Sequence, residues 1–252
     1  MIVDELRAYL TRTLTEQRLA DVRIGLGYTA VMLEDGNVGV AYTFRENAAA
    51  GCSVFMGRRP LAGRTTTEIL EYLGSSEGVE STVGLAVANA LANRPSPDQK
   101  EGDVLELLPI ESTDRVGMVG YFGPLVAPLD KRVRELVIFE RNAVRSDRVL
   151  PAEEALEQLP RCDVAVITST ALILGDLDRL LEAAAGCREV ALVGASTPLA
   201  PAVFASRGVT LLSGITVTDG PGILQIVSEG GGMGFFGERV RKVNVRLRSG
   251  QA

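Results

Sequence analysis

Glycines and a tyrosine that could bind a small molecule follow an apolar run in the C-terminal half of the chain. Residues 115–124 read RVGMVGYFGP, which places Gly117 within a predicted strand, Gly120 at its end and Tyr121 directly after it. Glycines at a strand end let the backbone approach a ligand, and free amides beyond the strand can bind an anionic group. The alternative is that these glycines serve only a tight turn and close packing.

An acidic residue ends the next predicted strand. Glu140 lies twenty residues after Gly120, at the end of the run ELVIFE. A carboxylate at this position can accept hydrogen bonds from both hydroxyls of a ribose. A solvent-facing glutamate is the alternative. Together, the glycine loop and the acidic strand end indicate a nucleoside-containing ligand, without distinguishing NAD from S-adenosylmethionine.

Hydroxyl side chains follow the third and fourth strand-like runs. Thr168 and Ser169 end the run DVAVITS, and Gly194, Ser196 and Thr197 follow the run EVALV. In open α/β sheets ligands bind beyond the carboxyl ends of the strands, so these hydroxyls could hold a carboxylate or phosphate. The alternative for Thr197 is that it caps a helix that begins near residue 198.

Two polar residues of the N-terminal half could take part in catalysis. Glu80 and Asn89 lie in one predicted helix, nine residues apart, so they point in roughly opposite directions on an ideal helix. Glu80 is the candidate general acid or base and Asn89 the candidate for orienting a substrate. Alternatively, Glu80 only stabilises the N-terminus of the helix. Cys52 could be a reactive thiolate or a small core residue.

The composition excludes several kinds of chemistry. The chain has 252 residues, a formal net charge of -6 and no histidine, so it contains no Ser-His-Asp triad, no Cys-His pair and no imidazole metal ligand. Its three cysteines are widely spaced, which argues against a disulfide framework. An acidic chain is a poor partner for nucleic acid. The acidic N-terminus does not resemble a signal peptide, and no apolar run is long enough for a membrane span. We therefore expect a cytoplasmic protein that binds neither nucleic acid nor a membrane.

The periodicity of apolar residues divides the chain into two predicted domains. A helix over residues 2–18, a hairpin around residues 35–37 and helices from residue 65 and over 79–93 form a small α+β domain, residues 1–97. The sequence PSPDQKEGD, residues 95–103, is typical of a linker. Apolar strands then alternate with helices, which predicts a doubly wound, Rossmann-like parallel sheet over residues 98–252.

Four segments of the chain resemble one protein family. They are VESTVGLAVANA (79–90), VGMVGYF (116–122), CDVAVITS (162–169) and LVGASTPLAP (192–201), and they are similar to the Putative heavy-metal chelation family, whose biochemical function is unassigned. The resemblance implies an enolase N-terminal-like domain, a Rossmann-like domain and a ligand site between the two. That site would bring Glu80 and Asn89 toward Gly120, Glu140 and Ser196. Tyr121 stands where some relatives have histidine, so no histidine role is carried over.

The residue types argue against a metal site formed by the protein's own side chains, which the family name would suggest. Soft heavy metals favour thiolate or imidazole ligands, and this chain has three separate cysteines and no histidine. We therefore expect no tight metal site made by the protein, and expect the metal ligands to belong to a bound molecule. The sequence predicts a cleft for an anionic small molecule that contains a nucleoside, with S-adenosylmethionine as one candidate cofactor.

The reaction stays open at this point. An enzyme would catalyse condensation, hydrolysis or group transfer in the synthesis or modification of a pterin-, flavin- or chelator-type compound. The alternatives are a binding protein for a metal-chelate, without catalysis, and an interaction scaffold with an empty cleft. We also expect a homodimer, because two-fold assemblies are the commonest oligomers.

Overall fold

The structure is a computed structural model, and it describes residues 1–45, 55, 59–141, 146 and 148–247. Cys52 lies outside the described residues, so its predicted role is not addressed. Among the described residues, no helix has the length and apolar character needed to cross a membrane.

In the described part of residues 1–92, the N-terminal unit combines a three-stranded antiparallel sheet with three helices. Its elements in chain order are α1 (Ile2–Thr13), β1 (Leu19–Ile24), β2 (Tyr28–Leu33), β3 (Val38–Tyr42), α2 (Thr66–Leu70) and α3 (Gly78–Ala92). The predicted hairpin is confirmed, because β2 pairs with β3 across a turn in which Gly36 has a φ of 85°. The predicted first helix ends earlier than expected, at Thr13, where the backbone of Leu14 turns extended.

The small sheet is covered on both faces. On one face α3 packs so closely on β3 that a Cβ on Gly39 would lie 2.1 Å from the backbone nitrogen of Ala90. On the other face, Val38 and Val40 pack with Ile223 and Phe236 from the C-terminal part of the chain. Helices from the C-terminal half therefore complete the N-terminal unit.

The C-terminal unit, residues 100–247, is built on an eight-stranded sheet. Its strands are β4 (Lys100–Glu101), β5 (Arg115–Val119), β6 (Glu135–Glu140), β7 (Val149–Pro151), β8 (Val164–Thr168), β9 (Glu189–Val193), β10 (Leu211–Val217) and β11 (Val240–Arg246). Its α-helices are α4 (Val104–Leu107), α5 (Gly123–Asp130), α6 (Ala155–Gln158), α7 (Ala171–Leu174), α8 (Leu177–Ala183), α9 (Pro201–Phe204), α10 (Gly220–Ser228) and α11 (Met233–Phe236).

The order of the strands has a reversal point in its centre. Across the sheet the order is β4-β11-β10-β9-β8-β5-β6-β7. The six strands from β10 to β7 are parallel, whereas β11 is antiparallel to both of its neighbours. The chain starts this parallel sheet at β5, continues outward through β6 and β7, then returns to add β8, β9 and β10 on the other side. The prediction of a mixed α/β fold with a doubly wound, Rossmann-like sheet is confirmed.

Alternate residues of the sheet enter two different cores. Met118 and Ile138 point to one face, where they pack with Leu125 and Leu129 of α5. Residues such as Phe139 and Ile167 point to the other face and belong to a core that extends into α1 and α3. The two units therefore share one continuous apolar core.

The predicted linker takes part in the large sheet. Within residues 95–103, Lys100 and Glu101 form β4 and pair with Asn244 and Val243 of β11. The Asn244 side chain donates hydrogen bonds to the carbonyls of Lys100 and Gly102, at 3.3 and 3.0 Å. The segment that the sequence marks as a connection is thus anchored at the sheet edge. The predicted boundary at residues 97/98 stays a prediction.

Candidate functional site

A cavity of about 840 Å³ lies where the carboxyl ends of β5, β6 and β8 meet. It sits at the reversal point of the strand order, which is where ligands bind in open α/β sheets. Gly120 after β5, Glu140 at the end of β6 and Thr168 at the end of β8 all line it. Its volume lies in the range of small-molecule sites in proteins, roughly 300–1,000 Å³.

The Glu140 carboxylate is fixed by two backbone amides. Oε2 accepts a hydrogen bond from the amide of Tyr121, and Oε1 accepts one from the amide of Arg141, both at 2.8 Å. The turn after β5 makes the first of these contacts possible, because Gly120 has a φ of 87° and its amide donates to the carbonyl of Phe139. Each carboxylate oxygen has a further lone pair for a ligand.

The N-terminal unit supplies an aromatic wall to this cavity. Tyr42 ends β3, Phe44 follows two residues later, and both line the cavity. Edge-to-face contacts connect Phe236, Tyr28, Tyr42 and Phe44 in a row, with ring centroids 5.3, 5.9 and 6.4 Å apart. Burial raises the pKa of Tyr28 to about 12, whereas Tyr42 is 40 % exposed at the cavity. The contacts with Tyr28 and Phe44 restrict the motion of the partly exposed Tyr42 ring.

Charged side chains line the cavity as well. Arg141 forms an ion pair with Asp176 at 3.0 Å, and its guanidinium carbon lies 5.5 Å from the centre of the Phe44 ring. Arg179 and Glu153 also line the cavity and are exposed. Within the described part of the chain, neither of these two side chains has an ion pair or a hydrogen bond.

A second group of polar side chains, which we call the joint, lies at the end of α3 and in the loop after β9. It comprises Asn89, Asn93, Ser196 and Thr197, all of them buried. The Asn93 amide donates to the carbonyls of Thr197 and Ile215 at 2.9 and 3.2 Å, and its oxygen accepts from the amide of Leu199 at 2.8 Å. Asn93 thereby ties the end of α3 to two segments of the C-terminal unit.

The other joint residues also bond to protein groups or are closed off from the cavity. The Asn89 amide donates to the carbonyl of Val40 at 2.8 Å, and Ser196 Oγ accepts from the amide of Tyr42 at 2.8 Å. Thr197 is fully buried, and its hydroxyl has no hydrogen-bond partner among the described residues. The alternative that Thr197 caps the next helix is wrong, because α9 begins at Pro201 and has no side-chain cap.

Glu80 lies in the first turn of α3 and does not line the cavity. It borders a separate hollow of about 620 Å³, where its Oε2 accepts a hydrogen bond from Ser75 Oγ at 2.8 Å. Asp4 and Glu71 at the same hollow are paired with Arg7. This placement is compatible with the alternative reading, a carboxylate at a helix N-terminus.

The remaining predicted residues lie behind the cavity. A Cβ on Gly117 would approach Leu159 and Cys162 within 3.0 Å, so this glycine permits close packing. Ser169 is buried and donates to the carbonyl of Val193 at 3.2 Å. Gly194 has a φ of 124°, and a Cβ there would lie 3.3 Å from Ser169 Oγ.

Four of the eleven predicted site residues therefore come together at the cavity: Gly120, Tyr121, Glu140 and Thr168. The structure adds residues that the sequence interpretation missed, namely Tyr42, Phe44, Arg141, Asp176 and Arg179. Two of them carried a usable signal. Tyr42 and Phe44 are separated by one residue at the end of a strand, a spacing that places two side chains on the same side.

The two cysteine thiols that the structure describes lie near each other, and both favour the protonated form. Cys162 donates to the carbonyl of Gln158 and Cys187 to the carbonyl of Leu159, at 3.4 and 3.7 Å. Burial raises the pKa of Cys162 and raises that of Cys187 to about 12, so both are protonated thiols at neutral pH. Metal ligation needs the thiolate. Among the described residues, no three Cys, Asp or Glu side chains are grouped to hold a metal ion.

Two solved structures share this fold over nearly the whole chain. A protein with unknown function from Pyrococcus horikoshii is 23% identical, and the match covers 98% of this chain and 100% of that one, with a TM-score of 0.86. A protein with unknown function from Desulfitobacterium hafniense DCB-2 is 25% identical over 97% of this chain and 98% of that one, with a TM-score of 0.78. No curated protein matches the chain.

Family models match both halves of the sequence. Residues 7–92 and residues 103–246 each match a model described as Putative heavy-metal chelation. The two similar solved structures are described as members of the same family as the model that residues 103–246 match. It covers more than half of the chain, which therefore belongs to the Putative heavy-metal chelation family.

Proposed function

We propose that this protein binds a nucleoside-containing small molecule in the cavity between its two units. The observation that carries the proposal is the meeting of Glu140, the Gly120 turn and Tyr42 at the reversal point of the parallel sheet. An acidic residue after the second strand of such a sheet is suited to the two hydroxyls of a ribose. S-adenosylmethionine is one ligand that has this chemistry.

The geometry of Glu140 supports this role in binding. Two amide hydrogen bonds hold the carboxylate in one orientation before any ligand arrives, so little side-chain entropy is lost on binding. The partly exposed Tyr42 ring, which packs edge-to-face with Tyr28, lines the cavity and can contact a flat heterocycle. A ribose and a planar base are thus matched by groups of different chemistry in the same cavity.

We further propose that the bound molecule, or its partner substrate, is a pterin-, flavin- or chelator-type compound that supplies the ligands for a heavy metal. The argument is chemical, because the described thiols are protonated and hydrogen-bonded to backbone carbonyls. A metal that meets this protein would then be carried by the small molecule and would be part of the substrate.

The proposed reaction is condensation, hydrolysis or group transfer on that compound. Carboxylates that line the cavity would carry out the proton transfers of this reaction. They are Glu140, Glu153 and Asp176. Catalysis by Glu80 gains no support from the geometry, because that residue borders the other hollow and Asn89 is bonded within the joint.

Calorimetric titration tests the binding proposal. The probes are adenosine, S-adenosylmethionine, NADH and neopterin, and the variants are Glu140→Gln and Glu135→Gln. Glu135 is the matched control, because it starts the strand that Glu140 ends and its partner is Arg115, outside the cavity. We expect saturable binding of a nucleoside-containing probe, weakened about tenfold by Glu140→Gln and unchanged by Glu135→Gln. The absence of binding by any nucleoside probe, or full binding by Glu140→Gln, would refute the proposal.

A binding protein for a metal-chelate, without catalysis, is the second candidate. It uses the same cavity, and the protonated state of the described thiols favours it because a chelate would bring its own ligands to the metal. Mass spectrometry of the bound probe after long incubation separates the two candidates. Recovery of chemically unchanged ligand at stoichiometric occupancy identifies a binding protein, whereas turnover of the probe identifies an enzyme.

A further inference from the structure

The wall of the cavity beside α8 carries an excess of positive charge. Asp176 directly precedes α8, and Arg179 lies three residues later, which places the two side chains on neighbouring positions of one helix face. The Asp176 carboxylate is already engaged by Arg141 at 3.0 Å. Among the described residues, Arg179 thus has no carboxylate within ion-pair distance, whereas Arg141 has one.

The wall beside β6 and β7 has the opposite character. Glu140 and Glu153 lie here, after the ends of two neighbouring strands. Glu140 accepts two backbone hydrogen bonds, and Glu153 has no ion pair or hydrogen bond to any residue that the structure describes. This wall attracts hydrogen-bond donors, such as ribose hydroxyls or the amino group of a heterocycle.

Two hydroxyl groups follow β8, which lies on the other side of β5 from β6. Thr168 Oγ1 and Thr170 Oγ1 are 2.9 Å apart, and both residues line the cavity. One hydroxyl donates to the other, which leaves the pair with one O–H group to donate to a ligand. In the order of the strands, the acidic side chains Glu140 and Glu153 thus follow β6 and β7, whereas the two hydroxyls and Arg179 follow β8.

We infer that the ligand is bipolar, with its nucleoside end at Glu140 and Glu153 and an anionic group at Arg179 and Thr170. The inference rests on the proposed function and identifies a second part of the same site. It also replaces the predicted anion contact with Ser196 and Thr197, because those two residues are closed into the joint. The anionic group is a phosphate or a carboxylate, both of which fit the two-pronged geometry of a guanidinium group.

Three matched probes test this inference. They are adenosine, adenosine 5′-monophosphate and adenosine 5′-carboxylic acid, which differ only in the group at the 5′ position. Calorimetry at low salt, where ion pairing is strongest, compares the intact protein with Arg179→Gln and with Arg161→Gln. Arg161 is the control, because it is exposed, lies outside the cavity and has no partner among the described residues.

We expect the intact protein to bind at least one of the two anionic probes about tenfold more tightly than adenosine. Arg179→Gln should abolish that preference while leaving the affinity for adenosine unchanged, and Arg161→Gln should preserve it. A preference for the monophosphate alone assigns a phosphate to this end of the ligand, and a preference for the carboxylic acid alone assigns a carboxylate.

Two outcomes would overturn the inference and leave the proposed function intact. One is equal affinity of the intact protein for adenosine and for both anionic probes. The other is an anion preference that persists in Arg179→Gln. If none of the three probes binds, the proposed nucleoside site fails, and the bipolar ligand fails with it. Arg179 has no bonded partner in the described structure, so its replacement should leave the thermal midpoint unchanged, which separates lost binding from misfolding.

Discussion

The joint and the cavity lie side by side between the two units, yet their polar atoms face different surroundings. In the joint, Asn93 makes three hydrogen bonds to backbone groups of the C-terminal unit, and Ser196 accepts one from Tyr42. At the cavity, Arg179 and Glu153 are exposed and have no such bonds within the described residues. Both groups consist of polar residues near strand or helix ends, and the sequence alone does not tell them apart.

The difference indicates which residues serve the fold and which are available to a ligand. A buried polar group that is fully bonded contributes to stability, and its loss leaves its partners unpaired. An exposed group that lines a cavity contributes little to stability and can bind a ligand. Variants of Asn93 and Ser196, whose bonds connect the two units, should therefore lower the free energy of unfolding, whereas variants of the cavity should lower binding alone.

Asn93→Ala should have the largest effect on stability. It removes three hydrogen bonds at a position that is 3% exposed and leaves the carbonyl of Thr197 and the amide of Leu199 without these bonds. We expect the free energy of unfolding in urea to fall by about 3 kcal/mol, since each unpaired buried group costs roughly 1–3 kcal/mol.

The control for this variant is Gln99→Ala. The Gln99 side chain makes two hydrogen bonds, donating to the carbonyl of Arg94 and accepting a long one from the amide of Ser96, at a position that is not fully buried. Their loss should cost less than that of the three bonds of Asn93, about 1 kcal/mol. If Asn93→Ala were as stable as Gln99→Ala, the joint would not hold the units together as described.

Ser196→Ala should have an intermediate effect. The hydroxyl accepts a hydrogen bond from the amide of Tyr42 at a buried position, and its removal leaves that amide unpaired. We expect a loss of about 1–2 kcal/mol in the free energy of unfolding. Ser206→Ala is the matched control, because that hydroxyl bonds the carbonyl of Val203 within its own turn. Equal losses in the two variants would argue against a special role for Ser196 between the units.

Arg141→Met should have the smallest effect on stability. Arg141 is exposed, its ion pair with Asp176 is solvent-accessible, and such pairs contribute about 0–1 kcal/mol. Arg148→Met, which removes the exposed pair with Asp130 outside the cavity, should cost a similar amount. Urea unfolding of both variants checks this. A loss above about 2 kcal/mol for Arg141→Met alone would mean that Arg141 stabilises the fold, as the joint residues do.

The fold could be predicted from the sequence because its signals are local. The apolar runs ELVIFE and DVAVIT form strands that are buried on both faces, and this burial is what a parallel sheet requires. The hairpin turn depends on Gly36 at a positive φ. The contribution of α10 and α11 to the N-terminal unit could not be predicted in the same way, because it depends on contacts between residues such as Val38 and Ile223 that are far apart in sequence.

The site could be predicted only where strand topology alone determines position. Gly120, Glu140 and Thr168 end neighbouring strands of one parallel sheet, so they necessarily meet at one edge. Ser196 follows the next strand, β9, but the packing of the N-terminal unit against this loop buries it beneath Tyr42. The distance of Glu80 from the cavity could not be predicted, because it depends on how the two units pack against each other. Arg141 and Asp176 were missed because an ion pair between residues 35 apart leaves no local pattern.

The strands at the two ends of the large sheet bear on how copies of this protein could associate. Among the described residues these are β4, two residues long, and β7, three residues long and ending at Pro151. Short edges, and a proline without an N–H group, offer few sites for a second chain to extend a sheet by strand addition. A homodimer that meets through the C-terminal unit, which remains a proposal, would therefore associate through side chains on its helices and loops. Its formation would then depend on surface side chains, and a single charged substitution on the correct helix face could abolish it without disturbing either sheet.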